Sequence, residues 1–294
     1  MKKALLFLLA GILLAACSGA ATSPTAVFTP TMAPTNTAPP PTPTPRITHV
    51  YAFGDDHSDK GKCSEGRMSN GPLAVEVLAE RLNVDLTDYA WCLAFSGYEH
   101  LDYVDPLDDT TLLGQVDKFK SELNGKKADP EALYFIEIGM VDFFETRDSG
   151  TAEEVVANIV TAVTRLAGLG AKHFMVGNSF NLSKFPGFQT GTNHAEMFQS
   201  KMNAALPGEM DKLAQAMGLD IEIFDITATE EHIRSNPEQY GFTQLVTPCT
   251  RWGLEMYPSE ICANPDEYYY WGYFYLTHRV HQIMGEAMAE QLSK

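Results

Sequence analysis

Five short apolar runs alternate along this chain with longer stretches of helical periodicity, and that alternation leaves few folds open. His49 to Phe53, closed by Gly54, reads as a first strand, with Val84 to Ala90, Ala132 to Gly139, Lys172 to Gly177 and Leu219 to Ile226 as the others. Between them, Leu73 to Leu82 carries Leu73, Val75, Val77, Leu78 and Leu82 at helical spacing and is opened by Asn70-Gly71-Pro72. Leu112 to Leu123 places Leu112, Leu113, Val116, Phe119 and Leu123 on one face, and Ala152 to Leu169 is amphipathic and closed by Gly170. His194 to Met217 predicts a long helix that can break at Pro207-Gly208; Ala228 to Ser235 and His278 to Leu292 predict two more. Strands alternating with helices in this way predict a three-layer α/β/α fold. Its core is a doubly wound, mostly parallel five-stranded sheet with right-handed crossovers.

With 294 residues and 45% hydrophobic content, the chain can bury one sizeable core, assigned here to residues 47–294. The formal net charge of −17 argues against nucleic acid as a partner and against electrostatic docking on anionic lipid. The first 46 residues cannot belong to the core. Lys2-Lys3 and the apolar run Ala4 to Ala16 form a secretory signal too short to span a membrane, assigned to residues 1–16. Leu14-Ala15-Ala16-Cys17 looks like a bacterial lipobox, which implies that Cys17 is the lipidated first residue of the mature protein and its partner the membrane. The expected location is therefore extracytoplasmic, lipid-anchored to the bacterial membrane or envelope. Residues 17–46 then form a linker: Thr22 to Pro45 is dominated by Thr, Pro, Ala and Ser and is expected to be a polyproline-rich tether reaching roughly 75 Å.

Without Cys17, four cysteines remain for an oxidising compartment. Cys249 and Cys262 bracket a short loop of turn residues and are expected to pair, leaving Cys63 with Cys92. None has the spacing of a zinc site.

Chemistry concentrates after the first strand, in Gly54-Asp55-Asp56-His57-Ser58-Asp59-Lys60-Gly61. A buried strand ending there delivers polar side chains to the carboxyl edge of a parallel sheet, where open α/β folds place their sites. The stretch resembles the first block of the GDSL esterase/lipase family (SGNH hydrolases), Phe-Gly-Asp-Ser-x-Ser-Asp-x-Gly. The resemblance continues in family order through Gly66 to Pro72, Gln115-Val116, Asp129 to Tyr134, Leu166 to Lys172, Asn236-Pro237, Tyr240 to Phe242 and Cys262 to Tyr268, and so covers about residues 47 to 292. It implies an SGNH/flavodoxin-like sheet. It also implies a serine activated by a histidine that an aspartate orients, with oxyanion donors from the serine's own N–H, a Gly and an Asn.

Residue by residue, that machinery is replaced. The serine position is Asp56. The second block reads Asp88-Tyr89-Ala90-Trp91-Cys92-Leu93-Ala94, with Cys92 and Leu93 at its glycines, or with Gly97 there if the register slips. The third reads Gly139-Met140-Val141-Asp142, with Val141 for the Asn; the last, Trp271 to Thr277, places Gly272 at the Asp and Tyr275 at the His. Asp56, His57 and His278 are the candidate substitutes, Asp56 as a carboxylate nucleophile and either histidine as its base. Asp55, Asp56, His57 and Asp59 could hold a hard cation, but Asp55 and Asp59 belong to the family scaffold, so neither a metal nor a cofactor is assigned.

The expected function is therefore that of a lipoprotein with a GDSL-like domain that binds a lipid, acyl or glycan ligand without hydrolysing it. An active hydrolase on carboxylic esters by another mechanism, and a structural envelope protein, are the alternatives. The aromatic run Tyr268 to Tyr275 is expected to line core and cleft, or to stack on such a ligand.

Overall fold

The computed structural model describes residues 47–62, 66–98, 109–190, 192–251, 253 and 260–294. The signal, Cys17, the linker and Cys63 lie outside the described residues. Five strands are present, β1 (His49–Gly54), β2 (Asp85–Asp88), β3 (Leu133–Glu137), β4 (His173–Gly177) and β5 (Asp220–Phe224). They pair in the order β2-β1-β3-β4-β5, every pair parallel. β3 is buried along its whole length, as its continuous apolar run requires of a central strand covered on both faces.

The helices are α1 (Ala74–Leu82), α2 (Leu112–Leu123), α3 (Met140–Thr146), α4 (Thr151–Leu169), α5 (Thr192–Met217), α6 (Ile226–Ser235), α7 (Pro237–Tyr240) and α8 (His278–Gln291). Because the chain reverses direction across the sheet at β1, right-handed crossovers put α1 and α2 on opposite faces. Accordingly α1 packs on α8, while α2, α4 and α5 pack in series. That completes the expected three layers.

Two local expectations are corrected. Pro207 lies inside α5 without breaking it. The buried stripe Ala195, Phe198, Met202, Leu206 and Met210 holds both halves to the core, and that packing outweighs one lost backbone bond. The second strand stops at Asp88, because the N–H groups of Tyr89 and Ala90 both turn to the Ala52 carbonyl, at 2.7 and 3.2 Å.

The sheet order places a topological switch point between β1 and β3, where open α/β folds bind ligands. Their carboxyl ends meet with Gly54 opposite Glu137. Gly54 has no room for a side chain: a Cβ there would lie 2.1 Å from the Glu137 carbonyl oxygen. The Gly54 backbone is held by buried Gln115, whose Oε1 accepts the Gly54 N–H at 2.9 Å while its Nε2 donates to the Gly54 carbonyl at 2.8 Å. A buried side chain thus fixes the strand end from which the site grows.

Candidate functional site at the switch point

The chain leaves β1 through a tight turn. Asp55 Oδ1 accepts the His57 N–H at 3.2 Å, and the Asp55 carbonyl accepts those of Ser58 and Asp59, each at 3.0 Å. Asp55, Asp56, His57, Ser58 and Asp59 are all buried. Asp59 is committed to the scaffold, because Oδ1 accepts the Gly61 and Lys62 N–H groups and Oδ2 accepts that of Cys92 at 3.1 Å. This latch brings the second loop beside the first. There the Leu93 N–H donates to Asp56 Oδ2 at 3.2 Å. Leu93 holds φ at 55°, a conformation natural to glycine and strained for leucine, and its side chain is 60% exposed. Gly97 lies elsewhere, against Asn158 of α4, and Leu93 is the second-block residue that bonds Asp56.

The third segment opens α3 from Gly139, whose φ of 121° and closeness to Val155 both exclude a side chain. Asp142 faces Ser96, accepting its N–H at 3.1 Å and its hydroxyl at 2.7 Å, and Asn158 Nδ2 donates to the Ser96 Oγ at 2.9 Å. Burial raises the Asp142 carboxyl to about 6 against the opposing pull of these Ser96 bonds. The fold therefore keeps a proton between about pH 4 and pH 6 that the unfolded chain has released, so this contribution to stability falls as pH rises through that window. Asp142→Asn is expected to remove a loss of roughly 2 kcal/mol between pH 4.5 and 7.5, measured as the difference in urea-unfolding free energy between variant and parent.

The last segment is a turn in which the N–H groups of Trp271 and Gly272 converge on the Tyr275 carbonyl, at 2.9 and 3.3 Å. It is anchored by Ser69 Oγ donating to the Leu276 carbonyl at 3.0 Å and by Thr277 Oγ1 donating to that of Tyr268 at 2.8 Å. Together these segments enclose a cavity of about 100 Å³ lined by Asp56, Leu93, Met140, Val141, Phe144, Gly253, Phe274 and Tyr275. Apart from Asp56 and the tyrosine hydroxyl, its side chains are apolar.

Of the expected site residues, Asp56, Val141 and Tyr275 line this cavity, whereas Cys92 and Gly272 do not. Cys92 is disulfide-bonded and packs beside Trp271 and Tyr275; the partner expected for it, Cys63, lies outside the described residues. The Cys249–Cys262 disulfide is formed. The two expected substitute bases are directed elsewhere. His57 lies against the Phe180 ring at 4.4 Å. His278 begins α8 with its N–H on Asn70 Oδ1, at 2.7 Å, and its Nδ1 2.8 Å from the Pro72 carbonyl.

Two buried residues escape the sequence reading, Glu137 and His281. Glu137 was visible as the one acid in the apolar run that forms β3. His281 shares the buried stripe Val280, His281, Met284 and Met288 of α8, its ring 6.1 Å from that of His57. Burial and the Asp55 charge raise the Asp56 carboxyl to about 7, against His57 and the Leu93 N–H, which lower it. Glu137 is pushed well above the carboxylate range by burial and then by Asp55 and Asp56, and burial drives His281 well below the usual imidazole value. The site thus stores buried acid groups beneath a small apolar cavity.

The sheet order and the four segments meeting at its switch point agree with a family model for GDSL-like lipase/acylhydrolases, which matches residues 50–288. The chain belongs to that family. Among relatives, the thermolabile hemolysin of Vibrio parahaemolyticus is 28% identical over 279 residues, covering 83% of this chain and 64% of the hemolysin. A GDSL esterase/lipase of Arabidopsis thaliana is 24% identical over 180 residues, covering 53% of this chain and 47% of its own length. This GDSL chain therefore spans less than two thirds of either relative. Among solved structures, the native M. smegmatis aryl esterase is 15% identical with a TM-score of 0.46, covering 84% of this chain and 99% of the esterase. Among the described residues no helix is long and apolar enough to cross a membrane.

Proposed function

We propose that this GDSL-family chain is an extracytoplasmic lipoprotein, anchored through Cys17, whose domain binds an acyl or lipid ligand without hydrolysing esters. The observation that carries the reading is the bond from the Leu93 N–H to Asp56 Oδ2. In the family chemistry a second-block N–H and the nucleophile's own N–H stabilise the oxyanion of the tetrahedral intermediate. Here a carboxylate stands at the nucleophile position and takes the second-block donor for itself. An ionised Asp56 would repel a developing oxyanion, and a protonated one is no nucleophile.

The other groups fit the same reading. Tyr275 occupies the place expected for the histidine, and Val141 removes the side-chain oxyanion donor. A carboxylate nucleophile would need a base to activate water against the acyl intermediate. Among the described residues lining the cavity there is no imidazole. The apolar wall of Leu93, Met140, Val141, Phe144 and Phe274 suits the end of an acyl chain better than a sugar, which needs several polar partners.

The full chain in detergent micelles tests this with a fluorophosphonate probe, a p-nitrophenyl butyrate assay and titration with a fluorescent short-chain fatty acid. The expected result is no labelled serine, no hydrolysis above buffer, and saturable binding that Phe274→Asp weakens at least tenfold. Labelling of any serine in residues 47–294, or turnover abolished by Asp56→Ala, would establish hydrolysis instead. Partition of the parent, but not Cys17→Ser, into the detergent phase checks the anchor.

A further inference from the structure

Beneath the cavity, Asp55, His57 and Glu137 each place a potential ligand atom within 4.8 Å of the others. We propose that these three residues form a binding site for a first-row divalent metal ion of the zinc type.

The backbone fixes the cluster. Asp55 follows the last residue of β1, and Glu137 ends β3 directly opposite Gly54. His57 is drawn back over Asp55 by its own N–H bond to Asp55 Oδ1 and is wedged against Phe180 and Phe185. The residues are 0, 4 and 3% exposed respectively. Yet Asp55 Oδ2, Glu137 Oε2 and both nitrogens of His57 have no hydrogen-bond partner among the described residues. Buried polar atoms of folded proteins are nearly always paired, so a convergent group of unpaired ones indicates something that pairs them.

His57 Nδ1 lies 3.6 Å from Asp55 Oδ1, at ion-pair rather than hydrogen-bond distance, so a proton shared within the cluster would still leave the His57 Nε2 unpaired. A divalent cation instead accepts one lone pair from each side chain, and two carboxylates with a neutral imidazole balance its charge, as burial requires. The imidazole selects a first-row transition metal or zinc over calcium and magnesium, which prefer oxygen alone. Three protein ligands also leave a coordination position for water. In a tetrahedral site with bonds of about 2.1 Å the ligand atoms lie roughly 3.4 Å apart, so an ion would draw atoms now within 4.8 Å of one another closer together.

The four-residue set suggested by sequence is thereby redistributed: Asp59 is committed to backbone N–H groups, Asp56 to Leu93, and Glu137 enters from a different strand. This inference does not depend on the acyl-binding reading.

The full chain, stripped with chelator and dialysed, is titrated with Zn2+ by calorimetry and its retained metal counted by mass spectrometry. The expected result is one tight equivalent of Zn2+ with a rise in Tm, and no Tm rise with Ca2+. Glu137→Gln preserves the shape of the side chain and His57→Phe suits the surrounding aromatic wall; each is expected to weaken Zn2+ binding at least tenfold. The proposal is overturned if the folded parent retains no Zn2+ and its Tm is unmoved, which would mean that water or protons satisfy the cluster. It is equally overturned if both variants bind like the parent, which would place the ion at surface histidines or Cys17. Because the parent's own titration decides the first point, a variant that fails to fold does not rescue the idea.

Discussion

Returning the family's reactive groups together, by Asp56→Ser, Gly272→Asp and Tyr275→His, is expected to create a serine that reacts with fluorophosphonates. It is also expected to raise p-nitrophenyl acetate hydrolysis about 10³-fold or more above the parent, since triad members act as a unit worth about 10⁶. Each single substitution is expected to do nothing measurable, because a serine without its base is not activated and a histidine without a nucleophile has nothing to deprotonate. The geometry favours success for two reasons. Replacing Asp56 releases the Leu93 N–H, now spent on Asp56 Oδ2 at 3.2 Å, to an oxyanion. The turn from Trp271 to Tyr275, closed by two N–H groups on the Tyr275 carbonyl, holds position 275 on the cavity wall with position 272 in the same turn. Adding Val141→Asn is expected to contribute a further factor of about 10²–10³, the usual worth of one oxyanion donor. The comparison is made by active-site titration and initial rates on variants with parent-like circular dichroism. A folded triple variant that takes up no label would mean that the turn no longer presents its side chains as an ester hydrolase needs.

Why so much of the frame could be read from sequence, and part of the site could not, follows from what each depends on. Strand and helix positions follow from apolar periodicity and glycine punctuation, both local properties. Gly54, for example, marks both a strand end and a close approach to Glu137. α3 was missed because Met140 to Thr146 is only seven residues long and carries no periodic signal of its own; it exists because Gly139 turns the chain there. Positions 56, 141 and 275 were placed in the cleft by motif order, and that order is preserved when the strands carrying it are parallel. Glu137 and His281 were missed for the opposite reason. Each looks like an isolated polar residue in an apolar pattern. Only pairing β1 with β3, and α8 with α1, brings them to Asp55 and His57. His278, the expected substitute base, is held by the N-terminus of α8 at residues 70–72, which leaves the inner face to His281.

A second large effect is expected away from the cavity, at Glu230. This side chain is fully buried; it accepts the Asn181 N–H at 2.6 Å and the Tyr269 hydroxyl at 3.0 Å. One turn along α6, the Arg234 guanidinium lies 4.1 Å from the Tyr269 ring centre, donates to the Leu245 carbonyl at 3.1 Å and bonds the Tyr270 hydroxyl. The pair therefore joins the loop after β4, helix α6 and the strand-like stretch that leads into the 271–275 turn. Glu230→Ala leaves two buried donors, the Asn181 N–H and the Tyr269 hydroxyl, without an acceptor and removes a carboxylate whose charge favours the Arg234 guanidinium; it is expected to cost about 3–5 kcal/mol in urea unfolding. Glu230→Gln, which keeps one acceptor oxygen and the volume, is expected to cost about 1–2 kcal/mol. If the uncompensated charge is the main cause, Arg234→Met introduced into Glu230→Ala should recover part of the loss, because the remaining core then holds no lone cation. A double variant no more stable than Glu230→Ala would assign the loss to the broken Asn181 and Tyr269 bonds instead. In either case the 269–277 segment loosens, and fatty-acid binding by the cavity wall should weaken in Glu230→Ala before global unfolding begins.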